Sequence, residues 1–195
     1  MRPNPIAPLP RGLALAAALP LLATGCGQVL FAQVDAPAVT VTRDGVAIPA
    51  LTAGLPLTLA IPLDLSPALP GTAADVTTDV RLTGLSTAIQ PGSALADLGA
   101  VQGVTVTAEP PPGGAVAATR VCAYTRPSPA PSPAPTSLAL ACDGSIDLSA
   151  YLASGALTLA FSATVDPGVS LPSWTAAVTG DFSVTIRADY GKLLR

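Results

Sequence analysis

Two pairs of carboxylates have the spacing to act together in this chain: Asp75 with Asp79, and Asp143 with Asp147. Residues an even number of positions apart on a strand share a face, so Asp75 and Asp79 would stand on the same side of one. Asp143-Gly-Ser-Ile-Asp147 reads instead as a turn with an acid at each end. Paired acids can divide the acid and base roles of glycoside hydrolysis, but that reaction wants a cleft lined with rings, and the chain holds only 3 Phe, 3 Tyr and 1 Trp. Clustered carboxylates can also hold Ca²⁺, which takes about 6–8 oxygen ligands, although the EF-hand spacing is absent. The third reading is solvated strand faces and turn caps. The 195 residues contain no His, which excludes Ser-His-Asp and Cys-His nucleophile systems and His-based zinc sites. A Ser-Lys dyad would depend on Lys192, near a terminus where chains fray, and no GxxxxGK phosphate loop occurs. The expectation is a non-enzymatic protein with no catalytic residues, no cofactor and no bound metal, unless the acids form a weak calcium site.

The elements that must position these groups are strands. With 22 Pro and 17 Gly, the chain is punctuated too often for a bundle or any long helix after the N-terminus. Ala38–Arg43 alternates, Asp44-Gly45 marks a tight turn and Val46–Ile48 continues, which reads as a hairpin. Leu55–Leu65 alternates again, with Pro56 and Pro62 placing it at a sheet edge. Further strands are expected at 75–82, 85–89, 101–108, 115–124, 137–141, 156–165, 174–179 and 182–190. Ser93–Gly99 and Asp147–Gly155 each start on a capping residue and end at Gly, and are expected as short helical corners. The stretch 126–136 has Pro at every second position from Pro127 to Pro135 and reads as an extended polyproline-like loop, either a variable loop or a partner-docking arm. The aromatic residues Phe161, Phe182, Tyr124, Tyr151 and Tyr190 mostly fall on strands and are expected in the core. Trp174, between Pro172 and a strand, reads either as core or as an exposed ligand contact.

The N-terminus carries an address. Arg2 and Arg11 precede the apolar run Gly12–Ala23, which is too short to cross a bilayer core needing about 20 residues and has the organisation of a secretory signal. Leu22-Ala23-Thr24-Gly25-Cys26 resembles the lipobox of bacterial lipoproteins, with Ala23 where that family more often has Leu. The resemblance implies cleavage before Cys26, attachment of a diacylglycerol to its sulfur, and, because Gly27 rather than Asp follows, export to the outer membrane. The alternative is an ordinary signal peptide with a chance Cys near its end. One acyl chain holds a protein only marginally, whereas two or more anchor it stably. About ten residues between Cys26 and a first strand at 38 would reach about 33 Å when extended.

If Cys26 is acylated, Cys122 and Cys142 remain as a pair, and an oxidising exported compartment favours a disulfide. Closing a loop of about 20 residues would contribute roughly 3 kcal/mol. Two inert buried thiols, or a redox pair, are the other readings. Residues 1–25 contain two basic and no acidic groups, so the remainder keeps all 12 acids against a reduced basic count, a poor match for nucleic acid or an anionic surface.

Asp79-Val-Arg-Leu-Thr-Gly-Leu, Leu95-Ala-Asp-Leu-Gly-Ala-Val before Val104-Thr-Val-Thr, and Asp147-Leu-Ser-Ala-Tyr-Leu before Leu157-Thr-Leu-Ala-Phe are similar to segments in a loose class of bacterial cell-envelope lipoproteins with immunoglobulin-like domains. The expected organisation is a cleaved signal peptide over 1–25, a lipidated tether over 26–37, and one all-β, antiparallel, immunoglobulin-like β-sandwich over 38–195. Short strands separated by turn residues support that fold class. The expected role is a lipid-anchored structural or interaction module of the cell envelope, partnered by the membrane through Cys26 and by an unidentified envelope protein. A ligand-binding or adhesive module is the alternative.

Overall fold

Alternating small β-branched and aliphatic residues, broken by Gly and Pro, give the chain an antiparallel all-β fold. The computed structural model describes residues 31–35, 38–53, 57–65, 76–153 and 155–189. Its strands are β1 (Phe31–Asp35), β2 (Val39–Ile48), β3 (Leu51–Thr52), β4 (Leu57–Asp64), β5 (Val76–Ile89), β6 (Val101–Glu109), β7 (Thr119–Thr125), β8 (Ser137–Cys142), β9 (Leu152–Ala153), β10 (Ala156–Val165), β11 (Ser170–Leu171) and β12 (Trp174–Asp189). Ten of them form one sheet in the order β1-β12-β5-β8-β7-β6-β10-β4, with β2 also on β12 and β9 on β10. The pair β3–β11 stands apart.

The sheet folds back on itself to enclose one core. Its two halves meet at β8, which pairs with β5 through residues 137–140 and with β7 through Ala141 and Cys142. Side chains from both halves share a single buried cluster: Val80, Leu82, Val178, Phe182 and Val184 from one side, Leu63, Val106, Leu157 and Leu159 from the other. Phe182, fully buried, is the largest of these. Such curvature requires local defects, and four register shifts supply them. Bulges add twist and re-aim side chains. Thr83 is the extra residue in β5, so the inward positions change from Val80 and Leu82 to Leu85. Val121 is the extra residue in β7, which turns both Val121 and Cys122 inward.

The fourth bulge corrects the expected hairpin. Asp44 and Gly45 do not reverse the chain; β2 continues through them, the two residues standing opposite the single Ala177 of β12. Gly45 takes φ +70°, a conformation glycine adopts without steric cost. Gln90 holds the bulge from the side, accepting from the Gly45 N–H and donating to Asp44 Oδ1, both at 3.1 Å. An Asp-Gly pair serves a bulge as well as a turn, and here β12 runs past it as a continuous template.

β4 is an edge strand, as its prolines suggest, hydrogen-bonded to β10 alone among the described strands. It lies beside the free edge of β2, where Arg43 Nη1 donates to the Pro62 carbonyl at 2.7 Å. A proline and a charged side chain at the near-meeting of two edges discourage further strand addition.

Other expectations need correction. The sheet begins before residue 38: β1 lies inside the segment 26–37 expected as a tether. The cause is the length of β12, whose pairing with β2 ends at Phe182, leaving Thr185–Asp189 an open edge on which Phe31–Asp35 aligns. The two helical corners are absent as such. No α-helix occurs among the described residues; over 147–155 there is one 3-10 turn, Ser149–Tyr151, and 93–99 is irregular. In 93–99, groups that would have capped a helix are engaged elsewhere: Ser93 Oγ accepts from the Thr175 N–H, Asp97 Oδ1 from the Gly99 N–H, and the Leu98 N–H donates to the Pro135 carbonyl. Short polar side chains divert backbone from helix in this way. Leu95 and Leu98 are still buried beneath the corner. The Pro-rich loop bends at 128–129 and 132–133, where both Ser-Pro bonds are cis, and returns against Gly99 instead of projecting as a rod.

Candidate functional site: the open end of the sheet

Of the residues with chemical potential in the sequence, Cys26, Asp75, Tyr190 and Lys192 lie outside the described residues. Cys122 and Cys142 are joined by a disulfide, directly opposite each other on β7 and β8 with Cα atoms 4.0 Å apart. The bond therefore fastens the seam between the halves of the sheet.

The candidate carboxylates among the described residues are committed to structure. Asp79 takes a two-pronged contact from Arg81 on the same face of β5, Nε at 3.0 Å and Nη2 at 2.8 Å. The hydrogen bonds from that guanidinium hold the Asp79 carboxyl below its ordinary range, against a smaller opposing effect of burial. Asp143 accepts from the backbone N–H and hydroxyl of Ser145 at 3.0 and 2.6 Å, and these bonds lower its pKa too. Asp147 Oδ1 receives the Val80 N–H at 3.3 Å, the Ser149 N–H at 2.9 Å and the Ser149 hydroxyl at 2.6 Å. That oxygen ties the 3-10 turn to β5, and the Ser149 hydroxyl also lies against the Thr78 carbonyl. Among the described residues no three His, Cys, Asp or Glu side chains converge as they would around a metal ion.

The end of the sheet at which β12 begins is arranged differently. Here the bulge in β6 leaves Gln102 as the extra residue. Its carbonyl accepts from the Arg126 N–H and its Nε2 donates to Asp166 Oδ1 at 2.9 Å. Arg126 grips Asp166 with Nη1 to Oδ2 at 2.7 Å and Nη2 to Oδ1 at 2.6 Å, and reaches the Gly99 carbonyl at 2.7 Å. The bonds from Arg126, then from Gln102, hold the Asp166 carboxyl below its ordinary range. Charge-assisted two-pronged pairing is specific in geometry, and it binds the base of the Pro-rich loop to the β10–β11 turn. Across the loop, Gly99 is pressed so near Ala134 that a Cβ at residue 99 would stand 2.9 Å from that methyl.

At the same end of the sheet a groove of about 390 Å³ opens, with Trp174, Ser173, Ser93, Gly92 and Pro49 in its walls. No charged side chain lines it. Trp174 also forms part of the wall of a small apolar cavity of about 50 Å³ in the core behind, with Leu59, Ile61, Phe161 and Val178. The half-buried indole thus separates core from groove. The sequence marks Trp174 as the ambiguous aromatic residue; nothing in it shows that the turn at Gln90–Ser93 folds over the start of β12, which is what makes a groove there. That placement depends on the Gln90 N–H donating to the Thr175 carbonyl and on the Ser93 hydroxyl, both long-range contacts.

Comparison with known protein families, with curated proteins and with solved structures finds no match to this chain.

Proposed function

We propose that this protein is a non-enzymatic module of a bacterial cell envelope, exported and held on the outer membrane by acyl chains on Cys26, its folded part an immunoglobulin-like sandwich made by the two halves of the bent sheet. The observation that carries this reading is the short distance along the chain from Cys26 to β1. Phe31 is already in register with Asp189 at the end of β12, so five residues, a reach of about 17 Å, would link an acyl group to the sheet. A lipid there would hold that end of the sheet close to the bilayer instead of on a long leash. The disulfide supports an oxidising compartment. Among the described residues, the pairing of each candidate carboxylate with a structural partner supports a role without catalysis. Val34 on β1, 59% exposed, is the large hydrophobic left in solvent among the described residues, and it would lie near the proposed membrane surface.

Intact mass and detergent partitioning test the anchor. The mature protein should begin at Cys26, carry the added mass of a diacylglycerol with or without a third acyl chain, and enter the detergent phase. A Cys26→Ala variant should keep its signal peptide and lack the lipid mass. A water-soluble exported form with unmodified Cys26 would overturn the proposal.

A further inference from the structure

We infer that the groove beside Trp174 is a binding site for a neutral saccharide chain. Four polar side-chain groups in its walls have no partner among the described residues: the Trp174 indole N–H, the Ser173 and Thr175 hydroxyls, and the proton of the Ser93 hydroxyl, whose oxygen is already used as an acceptor by the Thr175 N–H. Ser173 is exposed and Trp174 half-buried, and both line the groove. An apolar ring flanked by hydrogen-bonding groups suits the C–H face and hydroxyl rim of a pyranose, since tryptophan offers an apolar body and a polar tip.

The competing ligand classes fit less well. Anions and cations both lack a counter-charge, because none of the lining residues is charged. An acyl chain would have to enter the cavity behind Trp174, but about 50 Å³ is well below the roughly 150 Å³ that admits benzene. The groove itself, at about 390 Å³, is within the roughly 300–1,000 Å³ of small-ligand sites. Its position also fits: Trp174 and Asp189 are the two ends of β12, about 50 Å apart at strand rise, and β1 starts at the Asp189 end. A chain anchored through its N-terminus would present the groove away from that anchor. The inference itself does not depend on the anchor.

Trp174 is the one Trp in the sequence, so indole fluorescence reports on this groove alone. The full-length protein, in a detergent without a sugar headgroup, is titrated with maltohexaose, cellohexaose and chitohexaose. A saturable shift in emission with at least one of them is expected. Ser173→Ala should weaken binding roughly two- to tenfold, as expected for one lost hydrogen bond, and calorimetry on Trp174→Ala should show binding lost while the thermal transition stays cooperative. Val34→Ser, at the other end, should bind as the parent does. Emission unchanged by all three saccharides, or equal affinity in Trp174→Ala, would overturn the inference, whatever the state of Cys26.

Discussion

The two ends of the sheet are secured by different physics. Toward the end where β1 starts and β5 begins, and at the mid-sheet seam, the fastenings are hydrogen bonds from uncharged donors and one covalent bond. The Cys122–Cys142 bond closes the seam, Asp147 gathers three donors from β5 and the 3-10 turn, and the buried Tyr151 sets its hydroxyl 2.8 Å from the Ala117 carbonyl and 2.7 Å from Thr119 Oγ1. At the end where β12 begins, the main fastening is a partly exposed ion pair, Arg126–Asp166, with side chains 23% and 29% accessible, and the groove there stays open. A covalent bond and hydrogen bonds from uncharged donors depend little on salt; a solvent-facing ion pair is screened by it. The links between elements at the seam and toward the β1 end therefore depend little on charge, the exposed Asp79–Arg81 pair lying within one strand, whereas the link at the end that carries Trp174 is an ion pair between two segments.

The largest effect expected from breaking this contrast comes from the seam. Replacing both cysteines by Ser should cost about 3 kcal/mol from the freed loop, which is about 6–12 °C in Tm for a domain of this size. The loss should be the same in low and high salt, and thermal denaturation of parent and variant at two ionic strengths measures it. A salt-dependent loss would mean that the seam, too, relies on charge. Next in size is Asp147→Ala, which strands the Val80 N–H and the Ser149 donors. Leaving a part-buried donor unpaired costs about 1–3 kcal/mol. Faster amide exchange should appear at Val80 and Ser149 while Leu98 and Ile89, at the far end, keep their protection.

The difference between the ends also marks what the sequence could reveal. Strands with clean alternation were legible, because period-two burial is a local property: β4, β6, β8 and β10 lie close to where their patterns predict them. The prolines identified the edge at β4, since a residue without an N–H is tolerated there. What could not be read depends on partners remote in the chain. β1 became a strand because β12 outruns β2. Asp44-Gly45 became a bulge because Gln90 and a continuous β12 hold it straight. Ser93–Gly99 gave up helix because Thr175 and Pro135 offered its polar groups better partners. The candidate carboxylates are visible as pairs, but their engagement by Arg81, Ser145 and Ser149 depends on the fold. Trp174 stood out in the text only as an aromatic residue out of place.

The smallest expected effect isolates the far end. In Asp166→Asn the side chain keeps its shape and can still accept from Arg126, but loses its charge. Folding lowers the Asp166 pKa, so the stabilisation tied to its charge is complete above the ordinary carboxylate pKa of the unfolded chain and disappears as pH falls through the depressed folded value. The parent should therefore melt slightly higher than Asp166→Asn near neutrality, and the two curves should converge in acid. Asp79 and Asp143 are lowered as well and add to the acid limb of both proteins equally, so the difference between the curves belongs to Asp166. Added salt should shrink that difference at neutral pH, as screening requires of a pair in contact with solvent, while the loss caused by replacing the cysteines stays the same. A gap between parent and Asp166→Asn that persists unchanged into acid would show that the clamp acts through shape and packing, and the two ends would then differ in degree and not in kind.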